Sequence, residues 1–344
     1  MKLKTKTLGI IVVVIVAAGI FAGWYLYSSG TFEPAPTTKT VIDSRGEAVE
    51  IPADVQRIVA LRSGIVETLI ALGAEDKLVG IDESTKAGTG YGEFPIQLRP
   101  NLIDMSCPVT GKDLNVEEII ALDPDVVLIG GYGRLKWVQP LLEFNLTVVV
   151  AHFEELGNFT RDLKIIGQVV NKEEKAQELA TYVDNYLASI DDKVGNIPDG
   201  EKVSAYFCSH DAYSVYGCTT FEHVEIVTAG GTNVGEEITT WLPTISPEQL
   251  IAWNPEVIFT LEGTDTDAIL TDEKIQTVSA IANGKVYSIP EAGWDFGSLR
   301  SIFAINWVAS KLYPEKYEGV NITNDATQYY QAIWNVNYEG PSLD

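Results

Sequence analysis

One phrase occurs twice in this chain, and it limits the possible folds more than any other feature. Asn115-Val-Glu-Glu-Ile-Ile-Ala-Leu-Asp-Pro-Asp-Val-Val returns as Ser246-Pro-Glu-Gln-Leu-Ile-Ala-Trp-Asn-Pro-Glu-Val-Ile. Each copy has a capping side chain, an acidic first turn, an apolar helix face, a proline that ends the helix, and a buried strand. A fainter pair matches Val66-Glu67 through Gly73 with Val224-Glu225 through Gly231. Two copies of an α/β unit imply two similar lobes. Between them, residues 171–195 read as one long helix, with apolar residues Ala176, Leu179, Ala180, Val183, Tyr186, Leu187, Ile190 and Val194 on a single stripe. Asn171 and Glu174 offer a capping box, and Gly195 with Pro198 ends the helix. About 23 residues at 1.5 Å each span about 35 Å, enough to lie across two lobes.

Around this helix, short apolar runs alternate with helical patterns. Strands are expected at residues 57–61, 77–81, 125–129 and 147–151, and again at 203–207, 213–216, 257–261 and 286–289. A hairpin is expected at 41–51. The fold class is therefore α/β, with two similar lobes that have central, mainly parallel sheets and are joined by one long helix. The expected boundaries are 41–170 for the first lobe, 171–195 for the helix and 196–344 for the second lobe.

Residues 1–30 form a separate element. Lys2, Lys4 and Lys6 precede an uncharged run over residues 8–27, long enough to cross a bilayer core, with Trp24, Tyr25 and Tyr27 at its end. The expectation is an N-terminal membrane anchor or signal, followed by a tether at 31–40. It places the rest of the chain on the outer face of the cytoplasmic membrane, or secreted if the segment is cleaved. A net charge of −24 excludes nucleic acid as a partner. The 3 cysteines are too few for a disulfide framework, although Cys208 and Cys218 could bridge. No nucleophile elbow, Walker loop or zinc-protease histidine pair is present, so catalytic residues, a metal site and a cofactor are not expected.

Ligands of two-lobed α/β proteins meet the loops at the carboxyl ends of the strands. Those loops and the looser segments beside them carry Arg62, Tyr91, Arg99, Cys107, Tyr132, Arg134, Phe153, Cys218, Trp241, Trp294, Asp295 and Arg300. Of the 7 arginines, Arg62, Arg99, Arg134 and Arg300 fall at such positions in a strongly acidic chain. With the aromatics, they suit an anionic ligand with a flat or bulky apolar body.

Asp43-Ser-Arg-Gly, Ile51-Pro52, Arg57-Ile-Val-Ala-Leu, the two helix–proline–strand phrases and Gly284-Lys-Val-Tyr-Ser-Ile-Pro together resemble the substrate-binding proteins of ABC importers for ferric siderophores, haem and cobalamin. The resemblance covers about residues 40–335. It implies a monomer that holds an iron or cobalt chelate between its lobes and delivers it to a permease dimer with ATPase subunits. It also implies an acidic permease-docking residue on each lobe, at the positions of Glu67 and Glu225. The alternatives are an extracellular enzyme or a sequestering protein on the same scaffold, or a carrier of a different anionic ligand.

Overall fold

The structure, a computed structural model, describes residues 37–344 except Lys112, Glu154, Glu155, Asp295, Phe296 and the side chain of Tyr132. The expected anchor at 1–30 and the first part of the tether lie outside the described residues. No helix among the described residues is long and apolar enough to cross a membrane.

A hairpin of β1 (Thr38–Ile42) and β2 (Ala48–Pro52) opens the described chain. The first lobe then runs through β3 (Ile58–Ala60), α1 (Ser63–Ala71), β4 (Leu78–Gly80), α2 (Glu83–Ala87), α3 (Glu93–Leu98), a two-residue ribbon of β5 (Val109–Thr110) and β6 (Asp113–Leu114), α4 (Val116–Ala121), β7 (Val126–Ile129), α5 (Val138–Glu143), β8 (Val148–Val150) and α6 (Phe159–Val169). The long helix is α7 (Glu173–Val194). Beyond it come β9 (Ser204–Cys208), α8 (Phe221–Thr228), β10 (Thr232–Asn233), α9 (Pro247–Trp253), β11 (Val257–Thr260), α10 (Thr266–Leu270), α11 (Ser279–Ala282), β12 (Val286–Ser288), α12 (Leu299–Leu312) and α13 (Ile322–Trp334).

There are two separate parallel sheets, ordered β4-β3-β7-β8 and β10-β9-β11-β12. In each, the second strand of the lobe lies at one edge, followed by the first, third and fourth. The recurring phrase is the helix and third strand of each lobe, α4–β7 and α9–β11. Its caps form as the residues require, with Asn115 Oδ1 accepting from Glu118 N (3.1 Å) and Ser246 Oγ from Gln249 N (3.2 Å). Asp123 and Asn254, the residues before the two prolines, both take left-handed backbone at φ 46°, a conformation that Asn and Asp tolerate better than most side chains. The fainter repeat corresponds to α1 and α8, each following the first strand of its sheet.

Burial alternates along the strands. Ile58, Ala60, Val126 and Leu128 of one sheet share a central core with Ala205, Phe207, Val257 and Phe259 of the other. The opposite sheet faces feed two smaller clusters, one around Val59, Val127 and Ile119 and one around Tyr206, Ile258 and Leu250. Helix α7 packs on α6 of the first lobe and on α12 of the second, burying Ala176, Leu179, Ala180, Val183, Ile190 and Val194 as the stripe requires. The expected capping box does not form. Asn171 takes left-handed backbone (φ 57°), its side chain donates to Ala53 O at 2.9 Å, and the helix begins after Lys172. Residues 213–216 are no strand either. Asp211 Oδ1 accepts from Tyr213 N and Ser214 N in a tight turn, leaving only isolated bridges at Ser214 and Val215.

Candidate functional site

The loops leaving the sheets converge between the lobes, and two buried arginines occupy the junction. Arg62 follows β3 and is fully buried, with its guanidinium 3.4 Å from the carbonyl of His152, which follows β8. Gly130, at the end of β7, makes room for it: a Cβ there would lie 2.8 Å from both Arg62 Cδ and the Ala151 carbonyl. Gly297 of the second lobe comes closer still to the first. A Cβ at Gly297 would lie 1.7 Å from the Phe153 carbonyl, so only glycine fits this contact.

Arg300, in the first turn of α12, spans the lobes. Its Nη2 and Nε meet Glu67 Oε1 and Oε2 of α1 at 2.8 and 3.2 Å, and both side chains are at most 2% exposed. Nη1 donates to the Ala292 carbonyl (2.9 Å) and approaches Glu291 Oε2 at 3.3 Å. The guanidinium lies over the ring of Phe94, 4.6 Å from its centroid. Burial opposes the charge on Arg300, but Glu67 overrides that and holds the guanidinium above its ordinary range. Burial pushes the Glu67 carboxyl up while Arg300 draws it back down. Phe94 also packs edge-on against Tyr330 and Trp334 of α13, and Trp334 Nε1 donates to the Glu67 carbonyl at 3.1 Å. The lobes are thus joined directly as well as by α7.

Beside Arg300 is a cavity of about 230 Å³. Gly90, Glu93, Phe94 and Gln97 of the first lobe face Glu262, Pro290 and Glu291 of the second across it, and residues 339–341 close one side. Among the described residues that line it, Glu93, Glu262, Glu291 and Glu339 supply four carboxylates and Arg300 one cation. Apart from Arg300, none of these lining residues was singled out from the sequence as a ligand contact. Glu291 follows Pro290 at the carboxyl end of β12, where the strand-end rule should have directed attention to it.

The residues singled out from the sequence scatter. Arg300 borders the cavity, and Tyr91 is the neighbour of its lining residue Gly90. Phe153 is fully buried against Phe159 at 4.8 Å, and Trp294 is fully buried among Phe303, Trp307 and Tyr338, so both are core residues with no face for a ligand. Arg99 turns away to pair with Glu75 at 2.6 Å. Trp241 is 74% exposed on the second lobe. Arg134 lies 5.7 Å from the Trp137 ring and helps offset the burial that pushes the Asp82 carboxyl up. Cys107 donates to the Val109 carbonyl, and Cys218 N donates to the Ile238 carbonyl. All three cysteines are free, so Cys208 and Cys218 are not bridged. Asp295 and the Tyr132 side chain lie outside the described residues. Glu67 and Glu225 are 1% and 0% exposed. A docking carboxylate must reach the surface, and neither does in this arrangement.

The model of the periplasmic binding protein family matches residues 58–292, and the chain belongs to that family. It is similar to the molybdate-binding protein MolA of Haemophilus influenzae, at 24% identity over 91% of this chain and 95% of that one. It is also similar to the petrobactin-binding protein YclQ of Bacillus subtilis, at 22% identity over 77% and 84%. Among solved structures, MolA bound to molybdate superposes with a TM-score of 0.76 at 22% identity, over 88% of this chain and 100% of that chain. CeuE of Helicobacter pylori in complex with nickel and histidine gives 0.74 at 22% identity, over 87% and 96%. The protein is a substrate-binding component of an ABC importer.

Proposed function

We propose that this carrier holds a small metal chelate, centred on iron or cobalt, in the cavity between its lobes and passes it to a permease dimer driven by ATPase subunits. On this reading the chain works outside the cytoplasm, held at the membrane by residues 8–27. The observation that carries the chelate reading is the cavity itself, where Glu93, Glu262, Glu291 and Glu339 surround a single arginine already engaged by Glu67 and Glu291. That charge balance favours a neutral or cationic complex over the anionic one that the arginine count suggested. A volume of about 230 Å³ is below the ~300–1,000 Å³ of typical small-molecule sites, so a hydroxamate siderophore complex, haem or a corrinoid would each require the lobes to part.

Molybdate is the second reading, favoured by the similarity to MolA along 91% of the chain, but its two negative charges would face the same carboxylates. Tryptophan fluorescence separates these cases, since Trp334 packs against the cavity residue Phe94. Titration with a neutral ferric tris-hydroxamate, a ferric tris-catecholate trianion, haemin, cobalamin and molybdate should give the tightest quenching with the neutral hydroxamate complex. A dissociation constant of micromolar or below is expected, about −8 kcal/mol. Saturation by molybdate alone would favour the second reading, and silence from every probe would remove both.

A further inference from the structure

The acceptor pattern for N-linked glycosylation of exported chains, Asn-X-Thr, occurs at Asn145-Leu-Thr, Asn158-Phe-Thr and Asn321-Ile-Thr. Transfer of a sugar needs an asparagine amide free to react and, two residues on, a threonine hydroxyl free for the transferase to grip. The fold sorts the three triplets by that requirement. Asn321 caps α13, its Oδ1 accepting from Asn324 N, and its Nδ2 donates to Asp344 Oδ2 at 2.9 Å. Thr323 Oγ1 is engaged as well, donating to Asp344 Oδ2 and accepting from Leu343 N, both at 2.9 Å. Ile322 between them is 4% exposed. Asn158 stands at the start of α6, and the middle residue of its triplet, Phe159, is fully buried against Phe153. Neither triplet can present an extended acceptor without undoing the start of a helix.

Asn145 is placed differently. It closes α5 in left-handed backbone (φ 59°), its N–H donating to Leu142 O at 3.0 Å while Leu146 N donates to Leu141 O at 3.2 Å. This turn accounts for an asparagine here, but it uses main-chain groups only. Among the described residues, the side chains of Asn145 and Thr147 enter no hydrogen bond. Asn145 is exposed, and so are Leu142 (43%) and Phe144 (54%) beside it, which makes an apolar tip open to solvent. The tip precedes the amino end of β8, at the opposite end of the first sheet from the loops that converge between the lobes.

We propose that Asn145 carries an N-linked glycan, which shields the Leu142–Phe144 tip and leaves the interlobe cavity clear. The donor is a sugar linked to a polyisoprenyl phosphate, brought by a membrane transferase. Asn145 Nδ2 forms a bond to the anomeric carbon, the bond from that carbon to the phosphate oxygen breaks, and the phosphate leaves on its lipid. One amide proton passes to a base of the transferase. The proposal rests on the reading that the chain works outside the cytoplasm, where such a glycan is both added and useful as a bulky, solubilising cover.

The test uses the full chain recovered from the cells that make it. An endoprotease that cuts after glutamate, at Glu143 and Glu154, leaves Asn145 in residues 144–154, apart from Asn158. Mass spectrometry should find sugar on that fragment in most molecules, and none on the fragments that hold Asn158 and Asn321. Thr147→Val keeps Asn145 and its turn but removes the hydroxyl, and should abolish the addition. Asn145→Gly, which keeps the left-handed turn without the amide, should do the same. A membrane-impermeant amine reagent applied to intact cells reports separately on which side the chain lies. A chain labelled from outside yet bare at Asn145 overturns the proposal alone, as does sugar on Asn158 or Asn321, or sugar that survives Thr147→Val. A chain shielded from the reagent overturns the reading that it works outside the cytoplasm, and the glycan falls with it.

Discussion

Arg300 carries one positive charge and meets two carboxylates, with Glu67 on the opposite lobe as its closest partner. At no more than 2% exposure neither member of that pair has water to fall back on. Removing one member therefore costs more than the pair contributes, about 3–5 kcal/mol, because the other is left charged in the interior. Arg300→Met should lower the unfolding free energy by that amount. Adding Glu67→Gln to it should restore most of the loss, since the orphaned charge goes with it. Urea denaturation of the two single variants and the double variant checks this, and additive losses would show that the two side chains act independently. The sequence marked Arg300 by its place after the last strand. It could not show its partner, which lies 233 residues away and was read as a surface residue because its helix position carries no sign of what packs over it. Phe153 and Trp294 were misread for the same reason. An aromatic at a strand end looks alike whether it faces a ligand or the core, and here Phe159 and Trp307 take the place the ligand would have had.

At the scale of elements, periodic features were legible and local competitions were not. The first four-stranded sheet, three strands of the second, the proline stops and the stripe of α7 follow from spacing alone. The edge strand β10 was not expected, and the strand expected at 213–216 is a turn. The cap expected at Asn171 was lost because its side chain found the carbonyl of Ala53, over a hundred residues earlier in the chain. Helix α8 allows a prediction about acidity. His223 lies on it, half-buried, with Nδ1 3.1 Å from the side-chain amide of Asn233 on β10. Burial lowers the proton affinity of the ring from its ordinary 6.5, with Glu236 opposing. The unfolded chain then binds the proton more readily than the folded one, so this ring's contribution is intact above about pH 6.5 and is lost as pH falls through the lower folded value. Between pH 7 and pH 5 the melting temperature of the native chain should fall more steeply than that of His223→Gln, which has nothing to protonate there. Parallel slopes in thermal melts would show that the ring does not contribute.

For the whole molecule, the sequence suggested two modules held apart by a rod, and the structure adds a second connection. The inner faces of both sheets, α7, α12 and α13 share one buried core running from Val41 to Leu343, and Phe94 inserts from the first lobe between Arg300, Tyr330 and Trp334 of the second. Separating the lobes would expose this surface and break the Arg300–Glu67 pair together, so unfolding one lobe alone should leave the other short of its own core. Scanning calorimetry should therefore show one transition whose calorimetric and van't Hoff enthalpies agree, although a chain of 344 residues is large enough for independent domains. Phe94→Ala tests where the cooperativity resides. Truncating this buried ring should cost about 3–5 kcal/mol, and because the loss falls at the junction, the single peak should broaden or divide as the lobes begin to melt separately. Two resolved peaks in the native chain, or a Phe94→Ala peak that moves down in temperature without changing shape, would mean that α7 alone joins the lobes and that the junction adds stability without coupling them.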